Sequence, residues 1–96
     1  AVASHPRYLV ARYRLAVCLT KAVDYGRVQI SLDGKDIGPV IDGYDTRVVP
    51  TGRIELGEVE LTAGPHALRF TVVDKNEKST GYMVGLDAVI LEPVKP

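Results

Sequence analysis

Apolar side chains recur at every second position through much of this chain. In "RLAVCLT" the residues Leu15, Val17 and Leu19 share one face of an extended strand, and Val28, Ile30 and Leu32 do the same in "RVQISLDG". The second run ends in Asp33-Gly34, a pair suited to the positive φ values of a tight hairpin turn, so "KDIG" is predicted to return antiparallel to it. Further on, "ELGEVEL" sets Glu58 and Glu60 against Val59 and Leu61, the alternation of a strand with one wet face and one dry one. After the "TAGP" turn, "HALRFTVV" carries Leu68, Phe70 and Val72 on one face and Arg69 and Thr71 on the other, and these two strands are expected to form a second hairpin.

The last run, "YMVGLDAVILEP", has Val84, Leu86, Ala88 and Ile90 on one face and Met83, Gly85, Asp87, Val89 and Leu91 on the other. Both faces are apolar, which predicts a strand central in its sheet rather than an edge strand facing water. No segment holds a helical period with caps, while nine Gly and six Pro punctuate the short runs. The pattern therefore predicts an all-β fold, a two-sheet antiparallel β-sandwich of jelly-roll-like form with about seven or eight short strands. Residues 1–96 read as a single domain, and the closing "EPVKP" resembles the start of an interdomain connector, as in a module excised from a larger multidomain enzyme.

Composition narrows the function classes. Twelve Lys and Arg balance twelve Asp and Glu, so no long-range positive field draws nucleic acid or anionic lipid to this chain. The apolar runs are far shorter than the roughly 20 residues of a membrane span. The N-terminal "AVASHPRY" has neither a charged n-region nor a long apolar h-region, which points to a signal peptide already removed or carried by a longer precursor. Cys18, the single cysteine, can form no intramolecular disulfide and reads as a buried structural thiol.

Acyl-transfer chemistry needs a nucleophile beside a base, and the only imidazoles are His5 and His66. His66, at the start of a strand, reads as structural, its ring bonding nearby backbone. One Cys and two scattered His provide no zinc-ligand spacing. Asp24, Asp42, Asp45 and Asp87 include candidate pairs for glycoside hydrolysis, but a sandwich of 96 residues leaves little room for a cleft that encloses a sugar. The chain is read as a non-enzyme.

Three polar loops remain, "KAVDYGR", "IDGYDTRVVPTGR" and "DKNEKSTGY", and each sets a tyrosine near charged or amide side chains. A sugar ring offers an apolar C–H face and an edge of hydroxyls, so its sites join an aromatic plate to planar polar groups. Candidate carbohydrate-binding residues are Asp24 and Tyr25, then Asp42, Tyr44 and Arg47, then Lys75, Asn76 and Tyr82. The competing reading gives Asp and Asn to Asx-turns and the tyrosine rings to the end of the sandwich, and for Asp33 the turn reading wins. "DKNE" opens like a calcium loop but lacks the glycine and distal Glu of an EF-hand, which leaves no required cofactor and only a looser structural calcium open.

The succession "LTKAVDYGRVQISLDGKDIG", "IDGYDTRVVPTGRIELGEVELTAGPHALRFTVV" and "DKNEKSTGYMVGLDAVILEP" resembles the β-sandwich carbohydrate-binding modules appended to bacterial glycoside hydrolases, over nearly all of residues 13–93. Its most specific pieces are "DYG" before a strand ending in "LDGK", the L-x-A-G-x-H-x-L-x-F stretch from Leu61 to Phe70, and the final "GLD". The resemblance implies that Gly64 is a turn residue, that Leu68 and Phe70 are core, and that Asp87 is a buried polar anchor. It further implies a secreted bacterial module that tethers a linked catalytic domain to plant cell-wall polysaccharide, with β-glucan or xyloglucan favoured. The chain departs from many such modules in having no tryptophan and in being short, a length from which the absence of one or two leading strands is expected. The alternative is a structural or protein-interaction sandwich without sugar binding.

Overall fold

The computed structural model describes residues 11–94, which form six β-strands and no helix. The strands are β1 (Ala11–Lys21), β2 (Arg27–Leu32), β3 (Lys35–Asp42), β4 (Val49–Leu61), β5 (Leu68–Asp74) and β6 (Gly85–Pro93). They make two antiparallel three-stranded sheets in the orders β4-β1-β6 and β3-β2-β5. The expected small sandwich is present, with fewer strands than the punctuation of the chain suggests. One reason is that "VPTGR" and "IELGEVEL" run on as a single 13-residue β4 that absorbs its irregularity as bulges opposite Leu15/Ala16 and Cys18/Thr20.

The alternation of the first two runs places the core. Leu15, Val17 and Leu19 of β1 and Val28 and Ile30 of β2 are each at most 2% exposed, joined by Ile41 of β3 and Leu56 of β4. Burying each such side chain contributes roughly 1.5–3 kcal/mol. The central strands β1 and β2 are covered on both flanks, so they hold the best-buried residues. Asp33 and Gly34 adopt φ of 51° and 85°, and β3 returns from them antiparallel to β2 as expected. The outer face of the first sheet is laced by exposed ion pairs, Arg12 with Glu58 and Glu60, and Arg53 of β4 with Glu55 and with Glu92 of β6. Cys18 is half-buried on that same outer face, opposite Arg53 and Ala88, rather than in the core.

Three expectations are corrected. β4 and β5 do not form a hairpin: β4 pairs with β1 and β5 with β2, so the Thr62–Ala67 connection crosses from one sheet to the other. A short polar turn flanked by alternating runs is the signal of a hairpin and equally of a corner between sheets, and alternation alone does not separate them.

β6 lies at an edge, paired only with β1, and not at the centre of its sheet. Its second apolar face has another cause. Val89 and Leu91 sit opposite Val17 and Leu15 and so face inward, while the irregularity beside Cys18 leaves Asp87 without a partner and brings Leu86 opposite the buried Leu19. Asp87 is consequently exposed and is no buried anchor. β3 packs against β4 and closes one side of the sandwich, whereas no comparable contact joins β5 to β6 among the described residues. Leu86, Val89 and Leu91 are therefore 44–51% exposed although they belong to the inward row.

Candidate functional site

The strands alternate in direction, so the connections 22–26, 43–48 and 75–84 meet at one end of the sandwich. The β2–β3 turn, the crossing after Leu61 and both ends of the described chain lie at the other. The three polar loops picked out by composition are these three connections, and all eight candidate residues are brought to one end.

Their backbones are tied directly to one another. Ala22 N donates to Gly43 O (3.0 Å), Gly43 N to Gly26 O (3.0 Å), Gly26 N to Met83 O (2.8 Å), Met83 N to Asp24 O (3.0 Å) and Thr80 N to Val23 O (2.9 Å). Such close approach leaves no room for side chains. A Cβ on Gly43 would stand 2.7 Å from Gly26 O, and one on Gly81 would stand 2.9 Å from Asp24 O. Ser79, only 4% exposed, completes the knot: its hydroxyl lies 2.7 Å from Tyr25 O, 3.0 Å from Gly81 O and 3.1 Å from Val23 O.

Sequence reasoning passed over Ser79 and these glycines. The signal available for the glycines was their repetition, since each loop carries a Gly beside its Tyr, in "DYG", "DGY" and "TGY". Ser79 had none, because a serine in a polar loop looks like a solvated one.

Most of the candidate polar groups hold the loops rather than face solvent. Asp42 Oδ2 accepts from Asn76 Nδ2 (2.8 Å), and its Oδ1 accepts from the Tyr44 amide (3.0 Å). Burial works to raise the Asp42 pKa, but these two hydrogen bonds, with Arg27 and Lys21 nearby, hold it below the usual carboxylate range. Asn76 Oδ1 accepts from the Lys78 amide and Asp45 Oδ1 from the Arg47 amide, so the Asx-turn reading holds at Asp42, Asp45 and Asn76 together. Arg27 reaches both carboxylate oxygens of Asp74 (3.1 and 3.0 Å). The first and third positions of the calcium-like "DKNE" opening thus engage Arg27 and Asp42, and among the described residues no group of three or more His, Cys, Asp or Glu is placed to hold a metal.

The tyrosines divide. Tyr25 is half-buried, and its ring lies where a Cβ on Gly85 would stand 2.8 Å from it, so Tyr25 is part of the scaffold. Tyr44 is half-buried and bridges to Ala22 through its backbone. Tyr82 is 61% exposed. The Lys75 ammonium sits 5.9 Å from the Tyr82 ring centroid and donates to Ser79 O at 2.9 Å, which anchors the cation beside the ring. Arg47 is exposed, and Asp24 is half-buried. The end of the sandwich therefore offers one outward aromatic face with an ammonium beside it on a backbone fixed by Ser79, an arrangement able to stack on a flat apolar surface and hydrogen-bond its rim.

No protein-family description matches this chain, and no curated protein does. Among solved structures it is similar to a Paenibacillus xanthan lyase, with a TM-score of 0.74 and 25% identity over 88% of this chain. The matched region is 8% of the lyase chain, so the similarity is to a small part of a polysaccharide-acting enzyme.

Proposed function

We propose that this chain is a non-catalytic carbohydrate-binding module that holds a linked polysaccharide-acting domain on its polymer, in a secreted bacterial protein. The observation that carries the reading is Tyr82, an exposed ring beside an anchored ammonium, set at the end of the sandwich opposite both ends of the described chain. A module linked through that far end leaves Tyr82 free to meet polymer. Similarity to part of a xanthan lyase supports a polysaccharide setting and adds xanthan to the glucans as a polymer to test. Tethering raises the local concentration of the linked enzyme, so a site of micromolar to millimolar affinity, about −8 to −4 kcal/mol, is sufficient.

Affinity electrophoresis in gels containing xanthan, cellulose derivatives, xyloglucan, mixed-linkage glucan, xylan or mannan tests this. Retardation on one polymer class, abolished by Tyr82→Ala and unchanged by a chelator, is the expected outcome. Equal mobility on every polymer removes the carbohydrate reading.

The second reading is a domain that packs against a protein neighbour, and the half-exposed inward row of Leu86, Val89 and Leu91 favours it. Sedimentation velocity over a range of concentrations separates the two. Self-association that Val89→Asp abolishes would support a protein contact on that row.

A further inference from the structure

The crossing between the sheets, Thr62–Ala67, carries the histidine of the L-x-A-G-x-H-x-L-x-F stretch, which the loop-end site does not use. His66 Nδ1 lies 2.6 Å from Asp33 Oδ2, and Nε2 lies 2.7 Å from the carbonyl oxygen of Thr62. A carboxylate and a carbonyl both accept and neither donates. A neutral imidazole has one N–H and one lone-pair nitrogen, so it satisfies only one of these partners; the imidazolium, with two N–H groups, satisfies both.

Asp33 extends the unit. Its Oδ1 accepts from Ala67 N (2.8 Å), and its own amide donates to Ala67 O (2.8 Å). The tight turn between β2 and β3 is thereby joined to the segment arriving from the other sheet. The joint stands beside a gap between the sheets. A cavity of about 140 Å³ between them is lined by Leu15, Leu61, Leu68 and Leu91 among others, with His66 on its wall.

We propose that charged His66 is a proton-operated clamp, which fastens the β2–β3 turn to the sheet-crossing segment and keeps this end of the sandwich shut while the imidazole is protonated. The proposal is independent of what the loop end binds. The hydrogen bond His66 donates to Asp33, then the one it donates to Thr62 O, raises the His66 pKa, and accepting those from His66 and then from the Ala67 amide lowers the Asp33 pKa. Other charged groups, Lys35, Asp36, Glu58 and Glu60, line a cleft together with Asp33.

The raised histidine contributes stability that is complete below its unfolded pKa, about 6.5, and is lost as pH rises through its folded value. The lowered carboxylate contributes stability that is present above its unfolded pKa, about 3.9, and is lost as pH falls through its folded value. The clamp is thus complete between these limits and releases toward alkaline pH.

The test is a pH titration of the histidine rings of the 96-residue chain by long-range ¹H–¹⁵N correlation, with His5 assigned through His5→Ala, alongside thermal melts at each pH. Asp33→Asn is the informative variant, because Asn tolerates the positive φ of this position and keeps an oxygen for the Ala67 amide. At pH 7 the His66 ring is expected to carry both N–H protons. Its midpoint should fall toward about 6.5 in Asp33→Asn. The loss of melting temperature as wild type is taken up through that midpoint should flatten in the variant. A neutral single-tautomer ring at pH 7, a midpoint unmoved by Asp33→Asn, or identical pH dependence of melting in both proteins would overturn the proposal.

Discussion

The two ends of this sandwich are held by different chemistry. At the loop end, three connections are bonded backbone to backbone and sealed by the buried hydroxyl of Ser79, with Asp42, Asn76, Arg27 and Asp74 as outer ties. At the other end, one histidine, one carboxylate and the Ala67 backbone bridge a turn to the sheet-crossing segment, near Leu91, an inward residue that is 46% exposed. Neutral backbone and hydroxyl bonds do not titrate, so the Ser79 knot at the first end is held without a proton, whereas the joint at the second depends on one. A surface that must present one tyrosine at a fixed angle belongs on the first end.

The largest effect distinguishes neither end, since both stand on the common core. Ile30→Ala removes a residue at 0% exposure and should cost about 2–5 kcal/mol, read as a lowered midpoint in urea unfolding with an unchanged slope. A smaller effect, specific to the loop end, is expected from Gly43→Ala. The added methyl meets Gly26 O at 2.7 Å, a backbone atom that cannot swing aside, and overpacking of this kind costs about 1–3 kcal/mol. Ser79→Ala leaves its carbonyl partners without that donor and should cost about 1–3 kcal/mol, equally at pH 5 and pH 8. That pH independence is the contrast with Asp33→Asn, and a pH-dependent loss in Ser79→Ala would erase the distinction between the ends. Arg27→Ala breaks an exposed pair and should cost only about 0–1 kcal/mol, less in high salt.

The strand interiors were legible because alternation fixes a face: β1 and β2 bury Leu15, Val17, Leu19, Val28 and Ile30, and β5 turns Leu68, Phe70 and Val72, each half-buried, the same way. The partner of each strand was not legible. The "TAGP" connection looks like a hairpin whether its strands pair or part, and only the sheet order reveals that β5 lies beside β2.

β6 misled for a related reason. Exposure of inward residues follows from the missing cover over an edge strand, which a single strand's pattern cannot express, and the bulge at Asp87 shifts its apolar faces out of phase. At the candidate site, composition found the right three loops but not the division of labour within them. Asp42, Asn76 and Tyr25 have the residue types of a sugar site, yet they face one another or the scaffold, because a tightly packed loop must satisfy its own polar groups before it can offer any to a ligand.

The smallest expected change in stability accompanies the most telling change in function. Tyr82 is exposed, so Tyr82→Ala should alter unfolding by no more than about 0.5 kcal/mol. The most direct measurement is therefore the retardation of wild type and Tyr82→Ala on the panel of polysaccharide gels that includes xanthan, with the unfolding midpoint of each protein recorded beside it. Retention of wild type on one polymer class, lost in the variant while the midpoint stays put, is the predicted result. Equal retention of wild type and variant would contradict the role given to Tyr82, and wild type retained on no polymer would contradict the account and leave the sandwich as a domain for protein contact.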